Sequence, residues 1–486
     1  MGQTTPFSKE EIKNKMRLPI RDFLEGYDSD KEIVRLHMPG HKGKFDDCDN
    51  DITEVHGADS LYEADDIILE SENMTSKLFG TRRTFYSTEG SSQVIKSMCY
   101  LAIKLASKKT GNYSRNDYAI AATRNAHKSF INASILMEFD IAWLPSEDEE
   151  YSICKCTVTP EGLRKFLTEF KAKNDKILAA VFVTSPDYLG NMLDIKGLSE
   201  VAHEFGTVLI CDNAHGSYLK FVGGDMHPIT LGADMTTDSA HKTLPVLTGG
   251  AYLHISKNAP ENLEEQARQA LLLFGSTSPS YKIMRSMDLA LERIKPEDYE
   301  ATAQHLKELK DDLRDMGLKI YGNEPLKLSL DLRNSKIDGK SLATLLREKK
   351  IYCEYGEPDF LVTMWSPFNE YPVEFDKFKN AISEILKDSE SNGVLSESNQ
   401  RSINEKYRKK KFILPEVVFQ PYETLLMTKA VVKVDDSIIG AIAADNLTGC
   451  PPAISPVIAG EKIDKDIVDI MRFYGVEEIG VISIGE

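Results

Sequence analysis

At 486 residues the chain is longer than one hydrophobic core usually organises, and 41% hydrophobic with 28% charged residues is a globular balance that excludes disorder as the overall theme. Its 76 acidic against 59 basic side chains give a formal charge of -17, a field that repels phosphate backbones and argues against nucleic acid as a partner. No stretch reaches membrane-spanning length, the first residues lack the apolar core of a secretory signal, and Pro6 stands where a myristoylation pattern needs Ser or Thr, so a cytoplasmic location is expected. Seven cysteines, at 48, 99, 154, 156, 211, 353 and 450, fit free thiols in a reducing compartment better than a disulfide framework, and Cys154 with Cys156 reads as an incidental pair.

In chain order, LHMPGHKG (36–43) first sets His37 and His41 four apart, the spacing of helical zinc ligands. Pro39 and Gly40 break any helix between them, so no metal site is expected. Thr88-Glu89-Gly90-Ser91-Ser92 then precedes QVIKSMCYLAIKLA, a good helix; Gly90 frees the backbone, and N–H groups and hydroxyls face an anion at the helix N-terminus. From about Asp117 to Ile255 the apolar runs YAIAA, ILAAVFVTS, VLICD and GAYLHI recur, with helix-like stretches such as GLSEVAHEFG between them. That alternation predicts a parallel sheet covered on both faces.

Three segments in this region carry candidate chemistry. ATRNAHKSF puts His127 after an apolar run, where an imidazole can lie flat on an aromatic cofactor or serve as a satisfied core histidine. VLICDNAHG runs four apolar residues into Asp212 at the carboxyl end of a strand, where ligands gather in open sheets; an acid capping the next helix is the alternative. ADMTTDSAHKTLPVLTGG crowds Ser239, His241 and Lys242 before a Gly-rich strand. A lysine forms an imine only when its amine is neutral part of the time, a state that burial and nearby positive charge promote, and His241 can supply part of that setting.

Beyond the sheet, Pro260 to Met316 reads as one long helical stretch interrupted at Pro279. LKLSLDL and DFLVTMW suit an α+β unit, and KDSESNGVLSESNQRSINEKYRKKK reads as a polar linker whose basic run, Lys406 to Lys411, is a solvated face. A final unit begins near Phe412 and contains CPPAISPVIAGE. No internal repeat marks a solenoid.

Taken together, LHMPGHKG, DITEVHGADSLYEADD (51–66), STEGSSQ (87–93), TRNAHKS (123–129), TSPDYLGNMLDI (184–195), CDNAHG (211–216), DSAHKTLPVLTGG (238–250), STSPSY (276–281) and, more loosely, PPAISPVIAGE (451–461) closely resemble the bacterial ornithine, lysine and arginine decarboxylases. These are pyridoxal phosphate enzymes of fold type I. The resemblance implies an α/β architecture with a mixed, mostly parallel seven-stranded sheet in the large domain and smaller α+β C-terminal domains. The expected division is an N-terminal arm and active-site loop (1–70), a cofactor-binding domain (71–295), a small α+β domain (296–390), a linker (391–411) and a C-terminal domain (412–486).

Carried over residue by residue, the resemblance makes Lys242 the lysine that holds pyridoxal phosphate as a Schiff base and Asp212 the partner of the pyridine nitrogen. Gly90, Ser91, Ser92, Ser239 and His241 form the phosphate cradle, His127 stacks on the ring and Ala214 meets its other face. His215 lies near the ring hydroxyl and the substrate carboxylate, and Lys242 or His241 returns a proton. Thr277 and Ser278 reach a phosphate in the neighbouring subunit of a homodimer or higher oligomer. The implied reaction is decarboxylation of arginine, lysine or ornithine; an aminotransferase, another lyase on the same fold, or a non-catalytic scaffold are the alternatives. The sequence departs from the family pattern at Glu89 (asparagine is usual), Asn213 (glutamate), LYEADD (which lacks the expected Pro and Gly) and Ala453 (glycine). Glu89 is expected to weaken phosphate binding.

Overall fold

The structure, a computed structural model, describes residues 17–391, 405–409, 411–447, 449 and 452–483. Gly2, Pro6, Lys410, Cys450, Pro451 and most of the 391–411 linker lie outside the described residues.

Two helices, α1 (Pro19–Ser29) and α2 (Ile67–Phe79), precede strand β1 (Arg83–Ser87), and helix α3 (Ser91–Thr110) follows it. Every apolar run of the central region then becomes a strand: β2 (Tyr118–Thr123), β3 (Asp140–Leu144), β4 (Ile177–Thr184), β5 (Val208–Asp212), β6 (Met235–Asp238) and β7 (Ala251–Ile255). They form a seven-stranded sheet in the order β1-β7-β6-β5-β4-β2-β3, in which only β7 runs against its neighbours. Alternation along the strands divides their side chains between two cores. Ile120, Ala122, Phe182 and Ile210 join one, with α3 and α4 (Lys128–Met137); Ala121, Val181, Val183, Leu209 and Cys211 join the other, with α5 (Pro160–Lys173) and α6 (Ile195–Glu204). Burial on both faces is why these strands read as unbroken apolar runs, and it leaves the loops at the strand ends as the place for polar chemistry.

The stretch expected as one helix with one interruption has two breaks. Pro279 lies in the connection between α7 (Leu263–Leu273) and α8 (Tyr281–Arg293), and a second break precedes α9 (Pro296–Asp315). Pro296 makes that break: its ring pushes Lys295 into extended backbone (φ −126°, ψ 109°), and its missing N–H costs nothing at the first helical position.

Downstream, β8 (Lys319–Tyr321), β9 (Lys327–Asp331), β10 (Tyr355–Gly356) and β11 (Phe360–Met364) form an antiparallel sheet covered by α10 (Gly339–Glu348) and α11 (Val373–Ser391). The last unit pairs β12 (Lys429–Lys433) with β13 (Glu478–Ile482), with α12 (Lys465–Phe473) between them in sequence. Lys406 and Lys411 at the ends of the basic run are exposed, as a solvated face requires, but its middle is paired: Arg408 with Asp359, and Lys409 Nζ 2.7 Å from Asp466 and 3.4 Å from Asp469.

Candidate active site

Asp212 pairs with Thr237 where β5 and β6 end side by side, and the loops leaving these two strands hold most of the expected site. Asp212 is 3% exposed, and one carboxylate oxygen accepts the backbone N–H of Ala214 at 3.1 Å. Burial pushes its carboxyl up to about 6 against the opposing pull of the Lys242 charge. Lys242 sits on the single helical turn Ala240–Thr243, and its Nζ lies 3.0 Å from His215 Nε2. Burial, then the Lys242 charge, holds the His215 imidazole well below its ordinary range, so the ring is neutral and accepts from the amine. His215 Nδ1 and the buried Ser239 hydroxyl have no hydrogen-bond partner among the described residues. His241 Nδ1 lies 3.0 Å from the Gly250 carbonyl.

The opposite wall is the start of α3. Gly90, at φ +70°, takes a positive-φ, extended conformation open to glycine; its N–H donates to Gly249 O at 2.8 Å while Ser91 and Ser92 open the helix. Ser92 accepts from the Ser129 hydroxyl at 2.8 Å, and the Ser129 backbone N–H donates to His127 Nδ1 at 3.1 Å. His127 caps α4; burial, then the Lys242 and Lys128 charges, pushes its imidazole down to about 4. Asp212, His215 and His127 thus all sense the charge of Lys242. The sequence did not single out Ser129 or Tyr188, although both stand inside quoted motifs. The Tyr188 ring meets His215 edge-on at 4.8 Å, and its hydroxyl bonds the Glu354 carboxylate.

Other expected positions lie elsewhere. Thr277 and Ser278 are exposed on the α7–α8 connection and do not join the Lys242 cluster of this chain. Glu89 accepts the Ser276 backbone N–H at 3.3 Å, so its carboxylate is used on that connection. His37 bonds the Tyr27 hydroxyl at 2.6 Å and His41 bonds Asp51 at 3.1 Å, so the two imidazoles serve separate partners. Asn213 is fully buried and donates to Asp238 at 2.9 Å; a glutamate there would press a second carboxylate against the first. Ala453 adopts φ +57°, the left-handed conformation a glycine takes without strain.

The sequence model of the Orn/Lys/Arg decarboxylase major domain matches residues 46–327. The chain belongs to the Orn/Lys/Arg decarboxylase family. Among curated relatives of this decarboxylase, the uncharacterised protein YaaO of Bacillus subtilis is 27% identical over 472 residues, covering 89% of each chain. An arginine decarboxylase of the same organism is 24% identical over 469 residues, covering 90% of this chain and 89% of its own. The fold is shared with the constitutive lysine decarboxylase of E. coli (TM-score 0.76, 15% identity, 98% of this chain and 83% of that one). It is shared too with the Francisella novicida lysine decarboxylase (TM-score 0.79, 16% identity, 98% and 82%).

As a member of this family the protein is a pyridoxal phosphate-dependent amino-acid decarboxylase. The donor set suits that cofactor. A buried carboxylate raised to about 6 is short of a cationic partner such as a pyridinium, and an amine stands beside a neutral imidazole. An unpartnered Ser239 hydroxyl and a helix start at Gly90–Ser92 are the chemistry of a phosphate cradle.

Proposed function

We propose that this decarboxylase acts on arginine or lysine, with ornithine the third candidate, and releases CO2 and the corresponding amine. The observation that carries the choice of a cationic substrate is the line from Lys242 through His215 and Tyr188 to Glu354. It sets an accessible carboxylate beyond the reacting end of the site, where a guanidinium or ammonium at the far end of a basic amino acid finds its partner. The arginine decarboxylases among the relatives favour the same class.

In this reading Lys242 carries pyridoxal phosphate, and the bound cofactor supplies a ring that delocalises the electrons left when CO2 departs. Asp212 keeps the ring nitrogen protonated, since an opposite charge at hydrogen-bond distance favours the cation. His127, held through Ser129, would lie on one ring face and Ala214 would meet the other. Gly90, Ser91, Ser92, Ser239 and His241 would bind the phosphate. Neutral His215 orients the substrate carboxylate, and Lys242 or His241 delivers the proton that replaces CO2. Thr277 and Ser278, exposed here, complete the phosphate site of a second copy in a cytoplasmic homodimer or larger oligomer. The test is to supply arginine, lysine and ornithine separately to the pure holoenzyme and measure CO2 and amine. A keto acid in place of CO2 overturns the reading in favour of an aminotransferase.

A further inference from the structure

Behind the cofactor site, four polar side chains meet in a space closed to solvent: Asn213, His227, Asp238 and His254. One Asp238 oxygen accepts from Asn213 Nδ2 at 2.9 Å; the other faces His227 Nε2 at 2.8 Å and His254 Nε2 at 3.4 Å. Two imidazoles and a carboxylate whose ligand atoms all lie within 4.8 Å of one another form a donor set that could hold a metal ion. The ring bonds argue for protons instead. His227 Nδ1 accepts the backbone N–H of Ile229 at 3.2 Å, and an imidazole that accepts there carries its proton on Nε2. His254 Nδ1 lies 2.8 Å from the Thr84 hydroxyl, which can donate to it in the same sense. The His227 N–H then points at Asp238, while His254 Nε2 stands near the same oxygen without a hydrogen bond to it.

The place of this group in the fold gives it a task. Asp238 is the last residue of β6, directly before the Ser239–Lys242 segment, and Asn213 directly follows Asp212 at the end of β5. The Asn213 backbone N–H donates to Thr237 O at 3.0 Å, so one short bridge joins the two strand ends that carry the candidate site. We infer that Asn213 and Asp238 are positioning residues whose buried amide–carboxylate contact sets Asp212 against Lys242, and that the contact needs one acid and one amide whichever strand carries each. The geometry permits the exchange. Asn213 Nδ2 also lies 2.9 Å from His227 Nε2, so an acid at 213 accepts the His227 proton while an amide at 238 donates to it and turns its oxygen to His254.

The inference rests on the proposed roles of Asp212 and Lys242, and the test is a four-way comparison of holoenzymes: unmodified, Asn213→Asp, Asp238→Asn and the exchange of both. Each single change is expected to lower kcat by roughly 30-fold with KM within about 3-fold, and to weaken the visible circular dichroism of the bound cofactor. The exchange is expected to restore both to within about 5-fold of the unmodified enzyme. An exchange as impaired as the product of the two singles overturns the inference, as do single changes that cost thermal stability alone. The dichroic band is read without substrate, so it judges the positioning even where the substrate reading fails. Should either single variant not fold, the exchange still decides.

Discussion

Asp212 and Asp238 end neighbouring strands of one sheet, both buried, and their surroundings drive them in opposite directions. Around Asp238, burial would raise the carboxyl, but the charges and hydrogen bonds of His227 and His254 outweigh it and hold the group well below the ordinary carboxylate range. Around Asp212, burial wins: one backbone N–H and the charge of Lys242 do not offset it, and the carboxyl rises to about 6. A buried acid is therefore no sign of chemistry in itself. The shortfall of partners marks the acid that a bound cation must complete, and the fully bonded acid builds the frame that holds it.

The largest effect sharpens that contrast at the amine. Lys242→Ala is expected to lower kcat by about 10^3-fold or more and to abolish the borohydride-stable label on the protein, because the proposed reading makes Lys242 the carrier of the cofactor. A variant that kept its label would place the carrier elsewhere. Asp212→Asn comes next: kcat is expected to fall roughly 10^2- to 10^3-fold while the cofactor stays bound, since the amide cannot hold a proton on the ring nitrogen by charge. An Asp212 variant with near-normal kcat would erase the distinction between the two acids. Glu354→Gln is expected to act on binding, raising KM about 10-fold through the loss of one charge-assisted hydrogen bond, with kcat changed far less. A fall in kcat at unchanged KM would remove Glu354 from the substrate's far end.

The sequence showed the reactive side of this contrast better than the supporting one. Asp212 ends an apolar run and Lys242 precedes a Gly-rich strand, and such local signals survive without a structure; a mostly parallel sheet covered on both faces was likewise implied by unbroken apolar strands, though not its strand order. The supporting network was not legible because its members lie 11 to 41 residues apart on the chain (Asp238 from His227, Asn213 from His254), and only the sheet order makes them neighbours. The second break before α9 turned on the backbone demand of Pro296, which has the same composition inside a helix as at its start. The pairing of Arg408 and Lys409 inside the basic run was hidden for a related reason. Its partners Asp359, Asp466 and Asp469 come from units on either side of it in sequence.

The smallest effects lie in stability, and there the two acids should differ in sign. In the cofactor-free protein at pH 8, Asp238→Asn is expected to cost about 2–4 kcal/mol, because the buried His227 N–H loses its ionised acceptor and His254 the charge beside it. Asp212→Asn should instead stabilise by up to about 3 kcal/mol, since folding forces an unfavourable charge on a carboxyl raised from its ordinary 3.8 to about 6. The pH dependence follows from the direction of each shift. A raised acid binds its proton more tightly when folded, so the penalty at Asp212 is present above about 6 and fades as pH falls toward 3.8; the advantage of Asp212→Asn should vanish near pH 4. Asp238 is depressed, so its contribution is complete above 3.8 and is lost only as pH falls below that value through its lower folded pKa. Between pH 7 and pH 4 the Asp212 difference should therefore close while the Asp238 difference stays open, measured as urea midpoints of the three cofactor-free proteins. Two curves that closed together would mean that both carboxyls titrate alike, and the contrast between a completed and an incomplete acid would fall.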